Sequence, residues 1–215
     1  MLLFLNMSQK SASSSLPKNW PASLPYLSSQ AFTPSLDPKI RSVLQSRPSD
    51  AQDVLSIPKG PCSLVKITPI TIPSHPACGQ AGLFAAKDLK PGAFILQYLG
   101  VTHAPTGSSS PTIDPHATSD YDLSLDREYG IGIDADRMGN EARFINDYRG
   151  IGTKPNAEFR EIWDVKKKER GMGVWVLPEG KSGKGKGIRK GEEILVSYGR
   201  GFWGARKSED DCNYD

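Results

Sequence analysis

Four short strings of the sequence hold the residues best suited to bind a ligand or to act on one. They are Gly79-Gln80-Ala81-Gly82, Tyr98-Leu-Gly100, the stretch from Gly139 to Asn146, and the stretch from Gly191 to Gly199. Glycines 79 and 82 carry no Cβ atom, so the main chain there can approach a bound molecule closely. An ordinary tight turn is the alternative for that string. Each string alone is weak evidence, because glycine-rich turns are common.

Taken together, the four strings resemble those of the SET-domain protein lysine methyltransferases, in the same order, over residues 62–204. The resemblance implies a mostly β fold of several short-stranded sheets with few short helices. It also implies a pseudoknot near the C-terminal end, in which one segment threads through a loop. The implied activity is methyl transfer from S-adenosyl-L-methionine to the ε-amine of a lysine in a protein, either a histone or a non-histone protein.

The resemblance assigns the cofactor site to two of these strings and one aromatic residue. Residues 79–82 match the turn whose backbone contacts the methionine moiety in the family. Asn146 matches the asparagine whose amide holds the cofactor, and the backbone of Asp147 is the expected next contact. Trp203 matches the aromatic residue that closes over the adenine or the lysine channel, with core packing as the alternative.

The sequence departs from the family pattern directly after Asn146. Asp147-Tyr148-Arg149 replaces the usual His-Ser-Cys, although a contact made by the backbone of residue 147 would survive the change. The new carboxylate either favours a cationic sulfonium or caps Tyr148 and Arg149. In the same segment, Arg143 is expected to pack or pair rather than to react.

The resemblance makes Tyr198 the catalytic tyrosine and Tyr98 a second catalytic and channel residue. A lysine amine has an unperturbed pKa near ~10.4 and must be neutral to attack a methyl group. A narrow apolar channel favours the neutral amine through desolvation, and the Tyr198 hydroxyl would orient it. Positioning and desolvation then supply most of the acceleration. For either tyrosine taken alone, a half-buried strand residue is the alternative.

Two further residues complete the expected substrate channel. Tyr121 is expected to line it. Val196 lies two residues before the catalytic tyrosine, at the family's position that limits the degree of methylation. A small side chain there leaves room for a methylated amine, but it does not by itself decide the degree.

The cysteines and histidines predict no metal site. Zinc needs about four nitrogen or sulfur ligands in close clusters, and this spacing is absent here. The residues concerned are Cys62, Cys78, Cys212, His75, His103 and His116. The same scarcity of cysteines predicts a reducing compartment, nuclear or cytoplasmic rather than secreted. No run of about 18 apolar residues predicts a membrane-spanning helix.

Short strands must position the four strings. Alternating apolar residues predict strands over 63–68, 93–98, 121–126, 130–133, 156–163, 173–177 and 193–198. Residues 156–163 and 173–177 are expected to form a hairpin whose exposed tip is 166–171. The stretch 138–144 is the one predicted helical element after residue 80.

The composition divides the chain into four parts. Residues 1–50 contain twelve Ser and six Pro, which predicts a disordered arm over 1–34. Residues 35–61 are expected to form a short helix and a linker, with Asp37 as the cap and Pro38 in the first turn. The SET domain follows over 62–204, and 205–215 is an acidic tail.

The net charge of +3 is unevenly distributed. Nine Lys and Arg residues lie between Lys166 and Lys190, against two Glu residues. Solvated hairpin loops explain this run, and the alternative is a basic rim that attracts an acidic partner such as nucleic acid.

Two functions of different classes remain open from the sequence. The first is an active methyltransferase, which the retention of Tyr198 and Asn146 favours. The second is a non-catalytic SET-like module that binds a peptide or nucleic acid, with Asp147-Tyr148-Arg149 as the inactivating change.

Overall fold

The computed structural model describes residues 16–105, 114–178 and 186–199, and this part of the chain is mostly β. One α-helix, α1 (Pro38–Leu44), and one 3₁₀ helix (Glu141–Phe144) occur among the described residues. The strands are β1 (Ala31–Phe32), β2 (Gln52–Val54), β3 (Val65–Pro69), β4 (Ala81–Ala85), β5 (Phe94–Tyr98), β6 (Val101–His103), β7 (Asp122–Asp126), β8 (Ile131–Asp134), β9 (Asn146–Asp147), β10 (Ala157–Asp164), β11 (Glu169–Val176) and β12 (Leu195–Val196).

These strands form four small sheets. Two have four strands, in the orders β1-β6-β8-β7 and β2-β10-β11-β5. The other two are the pairs β3-β4 and β9-β12. This architecture confirms the predicted fold class of several short-stranded sheets with few helices.

The pair β9-β12 brings together segments about fifty residues apart in sequence. The pairing is parallel, with Leu195 opposite Asn146 and Val196 opposite Asp147. On its other side, Leu195 donates its N–H to Oδ1 of Asn156 (2.8 Å) and accepts the Asn156 N–H at its carbonyl (3.0 Å). The C-terminal strand therefore lies between β9 and Asn156, and we call this arrangement the crossing.

The core fills the space between the small sheets with aliphatic side chains. Its fully buried members come from several sheets and include Leu83, Ile133, Ile162, Val174, Ile194 and Val196. Strands β5 and β8 are buried along almost their whole length, so both of their faces lie inside the protein. Among the described residues, no helix has the length and apolar character needed to cross a membrane.

Residues 16–34 differ from the expected disordered arm, because they pack on the domain. Trp20 is buried, and its ring meets Tyr26 and Phe144 edge-on at 5.0 and 5.7 Å. Strand β1 adds to the edge of β6 in parallel. A few aromatic anchors outweigh the average Ser/Pro composition, since each buries a large apolar area. The expectation of disorder is therefore corrected for this segment, and residues 1–15 lie outside the described residues.

The segment 35–61 contains the predicted helix but also a strand. In α1, Asp37 accepts the N–H of Lys39 (2.7 Å) and Pro38 occupies the first turn, as predicted. Strand β2 then pairs in parallel with β10, so this segment is part of a sheet rather than a linker. The predicted acidic tail, 205–215, lies outside the described residues.

The remaining differences concern the ends of elements. Strand β11 begins at Glu169, earlier than predicted, so the hairpin tip is shorter than 166–171. The last predicted strand is reduced to Leu195–Val196, and the helical stretch predicted over 138–144 is a 3₁₀ helix limited to Glu141–Phe144.

Candidate functional site

Two cavities of different size meet beside Tyr198. The first, which we call the large cavity, has a volume of about 640 Å³. The second, which we call the slot, has a volume of about 80 Å³. Four residues line both of them: Asp120, Tyr121, Arg143 and Tyr198. The two spaces are therefore continuous at these side chains.

Aromatic side chains form the walls of the slot. Four separate parts of the chain contribute one ring each: Tyr98 on β5, Phe159 on β10, Tyr121 before β7, and Tyr198 after β12. Tyr98 and Phe159 meet edge-on with centroids 5.6 Å apart. The Tyr98 hydroxyl donates to the carbonyl of Tyr121 (2.7 Å), which ties the loop before β7 to β5.

Tyr198 is held at both its backbone and its side chain. Its hydroxyl donates to the carbonyl of Ile145 (2.6 Å), and its N–H donates to Oδ2 of Asp147 (2.7 Å). Burial, followed by the nearby charge of Asp147, raises the pKa of Tyr198 well above its ordinary value. The hydroxyl therefore stays protonated at neutral pH and acts as a donor that orients neighbouring groups, not as a base.

The hydroxyl of Tyr98, the second predicted catalytic residue, also stays protonated at neutral pH. Burial raises the pKa of Tyr98 well above its ordinary value, and the nearby Tyr198 adds to the effect. The slot also has acidic residues in its lining, Asp120 and Asp122. Its surface thus combines aromatic rings with carboxylates, which is a suitable lining for an alkylammonium group.

The predicted cofactor residues separate into two groups. Gln80, Ala81, Asn146 and Asp147 line the large cavity, whereas glycines 79 and 82 do not. Gly82 serves a packing role, because a Cβ there would collide with Oε1 of Glu193 and lie 3.1 Å from Nδ2 of Asn146. Gly79 has a φ of +86°, so it supplies the turn before β4.

A buried polar network that the sequence did not reveal holds Asn146 in place. Its side-chain amide donates to Oε1 of Glu193 (2.8 Å), and Oε2 of the same carboxylate lies 3.0 Å from Nε2 of His75. The side chains of His75 and Glu193 are 9% and 8% exposed. Glu193 thus connects the turn before β4 to β9, which fixes one wall of the large cavity.

The carboxylate of Asp147 is engaged inside the protein. Besides the Tyr198 N–H, it accepts the backbone N–H of Arg149 (2.8 Å) and pairs with the Arg149 guanidinium at 2.8 and 3.0 Å. The sequence left two roles open for this carboxylate: favouring a cationic sulfonium or capping Tyr148 and Arg149. The structure shows the capping role. The residue that departs from the family pattern also holds the backbone of the catalytic candidate.

Comparison with known proteins agrees with this arrangement. The family model for the SET domain matches residues 80–199, which is more than half of the chain. The chain belongs to the SET-domain family. This matched region contains every described site residue predicted from the sequence except Gly79.

Individual relatives of this SET domain are distant and much longer. The chain is 28% identical over 133 residues to the histone-lysine N-methyltransferase EZH2 of Chaetomium thermophilum, covering 59% of this chain and 8% of that protein. Among solved structures, it is similar to ctPRC2 in an autoinhibited conformation bound to S-adenosylmethionine (TM-score 0.47, 24% identity, 71% of this chain and 17% of that one). It is also similar to an active polycomb repressive complex 2 in the basal state (TM-score 0.43, 27% identity, 58% and 14%).

Within the SET domain, Arg143 has the structural role predicted for it. Its guanidinium stacks on the Tyr121 ring at 4.1 Å and donates to the carbonyls of Ala135 (2.9 Å) and Asp136 (3.4 Å). Because it also lines both cavities, Arg143 sets the position of Tyr121 between them.

One further predicted site residue, Val196, is not brought to the cavities. Val196 is fully buried in the core and is not among the described residues that line either cavity. Ser197, the next residue, lines the slot instead. The prediction for Trp203 falls outside the described residues, as do residues 179–185 of the basic stretch.

Proposed function

We propose that this chain is a protein-lysine N-methyltransferase that uses S-adenosylmethionine as methyl donor. The observation that carries the proposal is the meeting of the large cavity with the slot at Tyr121 and Tyr198. A volume of about 640 Å³ falls within the ~300–1,000 Å³ typical of ligand sites. The slot has room only for a narrow chain, such as a lysine side chain.

The residues of the large cavity fit the proposed cofactor. Its lining includes the carboxylate of Asp120 and the partly exposed guanidinium of Arg149, which suit a ligand that carries both cationic groups and a carboxylate. Gln80, Ala81 and Asn146 would hold it along the wall formed by β4 and β9. When bound there, S-adenosylmethionine supplies a methyl group on a cationic sulfur.

The slot would prepare the lysine for attack. Asp120 and Asp122 attract the ammonium group, while the rings of Tyr98 and Phe159 surround the chain. Removal of water disfavours the charged amine, so the proton leaves to solvent as the side chain enters. No residue needs to act as a strong base, which agrees with the raised pKa values of Tyr98 and Tyr198.

Tyr198 would orient the neutral amine toward the large cavity. Its hydroxyl donates to the carbonyl of Ile145, and a hydroxyl oxygen can also accept an N–H of the substrate. Asp147 holds the backbone of the same residue, and this fixed position is what an in-line transfer needs.

A histone is the favoured substrate class, because the curated relative is a histone-lysine N-methyltransferase. That relationship covers 8% of the relative, so a non-histone lysine is the second candidate. On a histone the protein would act in the nucleus. Contact with nucleic acid is not part of the proposal, since no aromatic platform accompanies the hairpin tip at Lys166–Lys168.

The first test is a calorimetric titration of S-adenosylmethionine into the full chain, followed by incubation on a lysine peptide array with a labelled methyl donor. We expect saturable binding and label only on peptides that contain lysine. Binding without transfer to any lysine would instead support the non-catalytic module. No binding by a chain shown to be folded would overturn the proposal.

A further inference from the structure

A second cluster of chemically active side chains lies beside the slot, at the edge of the sheet that contains β6 and β8. His103, Asp114 and His116 place one potential ligand atom each, and these atoms all lie within 4.8 Å of one another. We propose that these three residues bind a divalent transition metal ion, with Zn²⁺ as the best match, and that the ion fixes the segment 114–121. The site is distinct from the methyl-transfer site.

Each of the two histidines uses one ring nitrogen to bond a carboxylate. Nε2 of His103 lies 2.9 Å from Oδ1 of Asp122, and Nδ1 of His116 lies 2.7 Å from Oδ2 of Asp134. A carboxylate on one nitrogen fixes the tautomer and makes the other nitrogen a better ligand. Nδ1 of His103 and Nε2 of His116 are therefore the metal-binding atoms.

The two rings are neighbours, but one of them must turn before both can bind the same ion. His103 and His116 stack face to face, with centroids 3.7 Å apart and an interplanar angle of 14°. Because a metal ion lies in the plane of each imidazole that binds it, one ring must tilt out of this stack on binding. Zinc–nitrogen bonds of about 2.0–2.1 Å place ligand atoms roughly 3.3 Å apart in a tetrahedral site. The described atoms need to close by at most about 1.5 Å, and Asp114, which is exposed, can supply much of this by turning its side chain.

The local packing fits a half-open metal site. The side chains of His103 and His116 are 9% and 16% exposed, whereas Asp114 faces solvent and leaves an entry path. A Cβ at Gly132 would collide with the His103 ring and Asp122, so the glycine makes room for this pair. Two imidazoles and one carboxylate favour a transition metal over Ca²⁺ or Mg²⁺, which prefer oxygen ligands.

The position of the cluster indicates what the ion would do. Asp114 and His116 begin the segment that leads to Asp120 and Tyr121, the residues shared by the slot and the large cavity. The same segment is tied to Asp134 through the hydroxyl of Ser119 (2.7 Å). An ion bridging this segment to His103 on β6 would act as a positioning element, without contact to the substrate.

The spacing of these residues in the sequence gave no indication of the site. Zinc motifs usually consist of paired ligands close in sequence, whereas here β6 contributes one ligand and a later loop contributes the other two. The fold, rather than local spacing, brings them together.

The proposal is tested by competition between the tag-free, chelator-treated full chain and a chromophoric chelator for added ZnCl₂. We expect one Zn²⁺ per chain, with affinity reduced at least tenfold in Asp114→Asn and in His116→Gln. Asp136→Asn, at an exposed acidic residue just after β8, and His75→Gln, outside the cluster, should bind zinc as the original chain does. Unfolding temperatures verify that each variant is folded.

Imidazole ¹⁵N spectra identify the ligands independently of affinity. Zinc should shift Nδ1 of His103 and Nε2 of His116, and it should raise the unfolding temperature of the original chain but not of Asp114→Asn. Absence of binding, retention of full affinity in His116→Gln, or shifts confined to His75 would overturn the proposal and leave the histidines as ion-pair partners of Asp122 and Asp134. None of these measurements uses S-adenosylmethionine, so their outcome is independent of the proposed methyl transfer.

Discussion

The two cavities that meet at Tyr198 are held together by different kinds of contact. In the large cavity, lining side chains such as Asn146 and Asp147 also bind the crossing segments to each other. In the slot, the tyrosine hydroxyls donate to backbone carbonyls, and the rings themselves form the walls. A change in the slot therefore removes one group, whereas a change in the large cavity also loosens the fold.

Because of this difference, substitutions in the two cavities should affect different properties of the protein. A polar side chain bonded within a buried network leaves unpaired partners when it is removed, and their desolvation adds to the loss. Removal of a tyrosine hydroxyl that donates to a carbonyl leaves only that one acceptor unpaired, and the aromatic ring still fills its space. We expect slot variants to alter turnover at nearly constant stability, and large-cavity variants to alter stability and ligand affinity together.

The largest effect is expected in the slot. Tyr198→Phe should lower the rate of methyl transfer by about 100-fold or more, because loss of the orienting hydroxyl misplaces the amine. The affinity for S-adenosylmethionine should stay within a few-fold of the original. Single-turnover kinetics with a labelled methyl donor, together with calorimetry, measure the two quantities separately.

Tyr98→Phe is the matched control in the same slot. Its hydroxyl is bonded to the Tyr121 carbonyl, so its loss should cost about 1 kcal/mol of stability and less than tenfold in rate. Equal losses of rate in both variants would mean that the slot acts only through its shape, and turnover at the original level in Tyr198→Phe would refute the assigned role.

The second-largest effect is expected on the stability of the crossing. Asp147→Ala should lower the free energy of unfolding by about 2 kcal/mol, since the Tyr198 N–H and the Arg149 guanidinium both lose a charged acceptor. The Asp147 side chain is 4% exposed and that of Arg149 is 37% exposed. Arg149→Ala should therefore cost about 1 kcal/mol or less. Urea denaturation of both variants checks the difference, and equal costs would show that the ion pair, not the backbone cap, is what matters.

The smallest of the three effects is on cofactor affinity. Asn146→Ala should weaken binding of S-adenosylmethionine about tenfold, because a fixed polar group in the cavity wall is lost. His75→Gln alters the same network from the far side of Glu193, away from the cavity, and should change affinity by less than about threefold. If calorimetry gives the same loss for both, the network as a whole and not Asn146 determines affinity.

Much of the strand pattern was predictable, because alternating or continuous apolar runs can be recognised from a few neighbouring residues. Strands β5, β7 and β10 lie close to their predicted positions. The early start of β11 was not predicted, because Gly171 and Gly173 weaken a strand when judged locally. In the fold, a side chain at either position would collide with Gln97 or Ile162, so the glycines are required by packing.

The motifs pointed to the residues around the cavities, but not to the distant residues that support them. Tyr98, Tyr121 and Tyr198 line the same cavity, and their roles in catalysis stay predictions. The pairing of His75 with Glu193 spans 118 positions and has no local pattern. Val196 was placed at the channel by its position relative to Tyr198, but the strand turns its side chain into the core.

The packing of the N-terminal segment has a consequence for chemical selectivity. Trp20 anchors this segment on the domain, and its neighbours Asn19 and Pro21 form part of the wall of the large cavity. Both residues precede the region matched by the family model, which begins at residue 80. An inhibitor that extends from the shared floor at Gln80 and Asn146 toward Asn19 and Pro21 would discriminate this protein from relatives that have only the matched region in common.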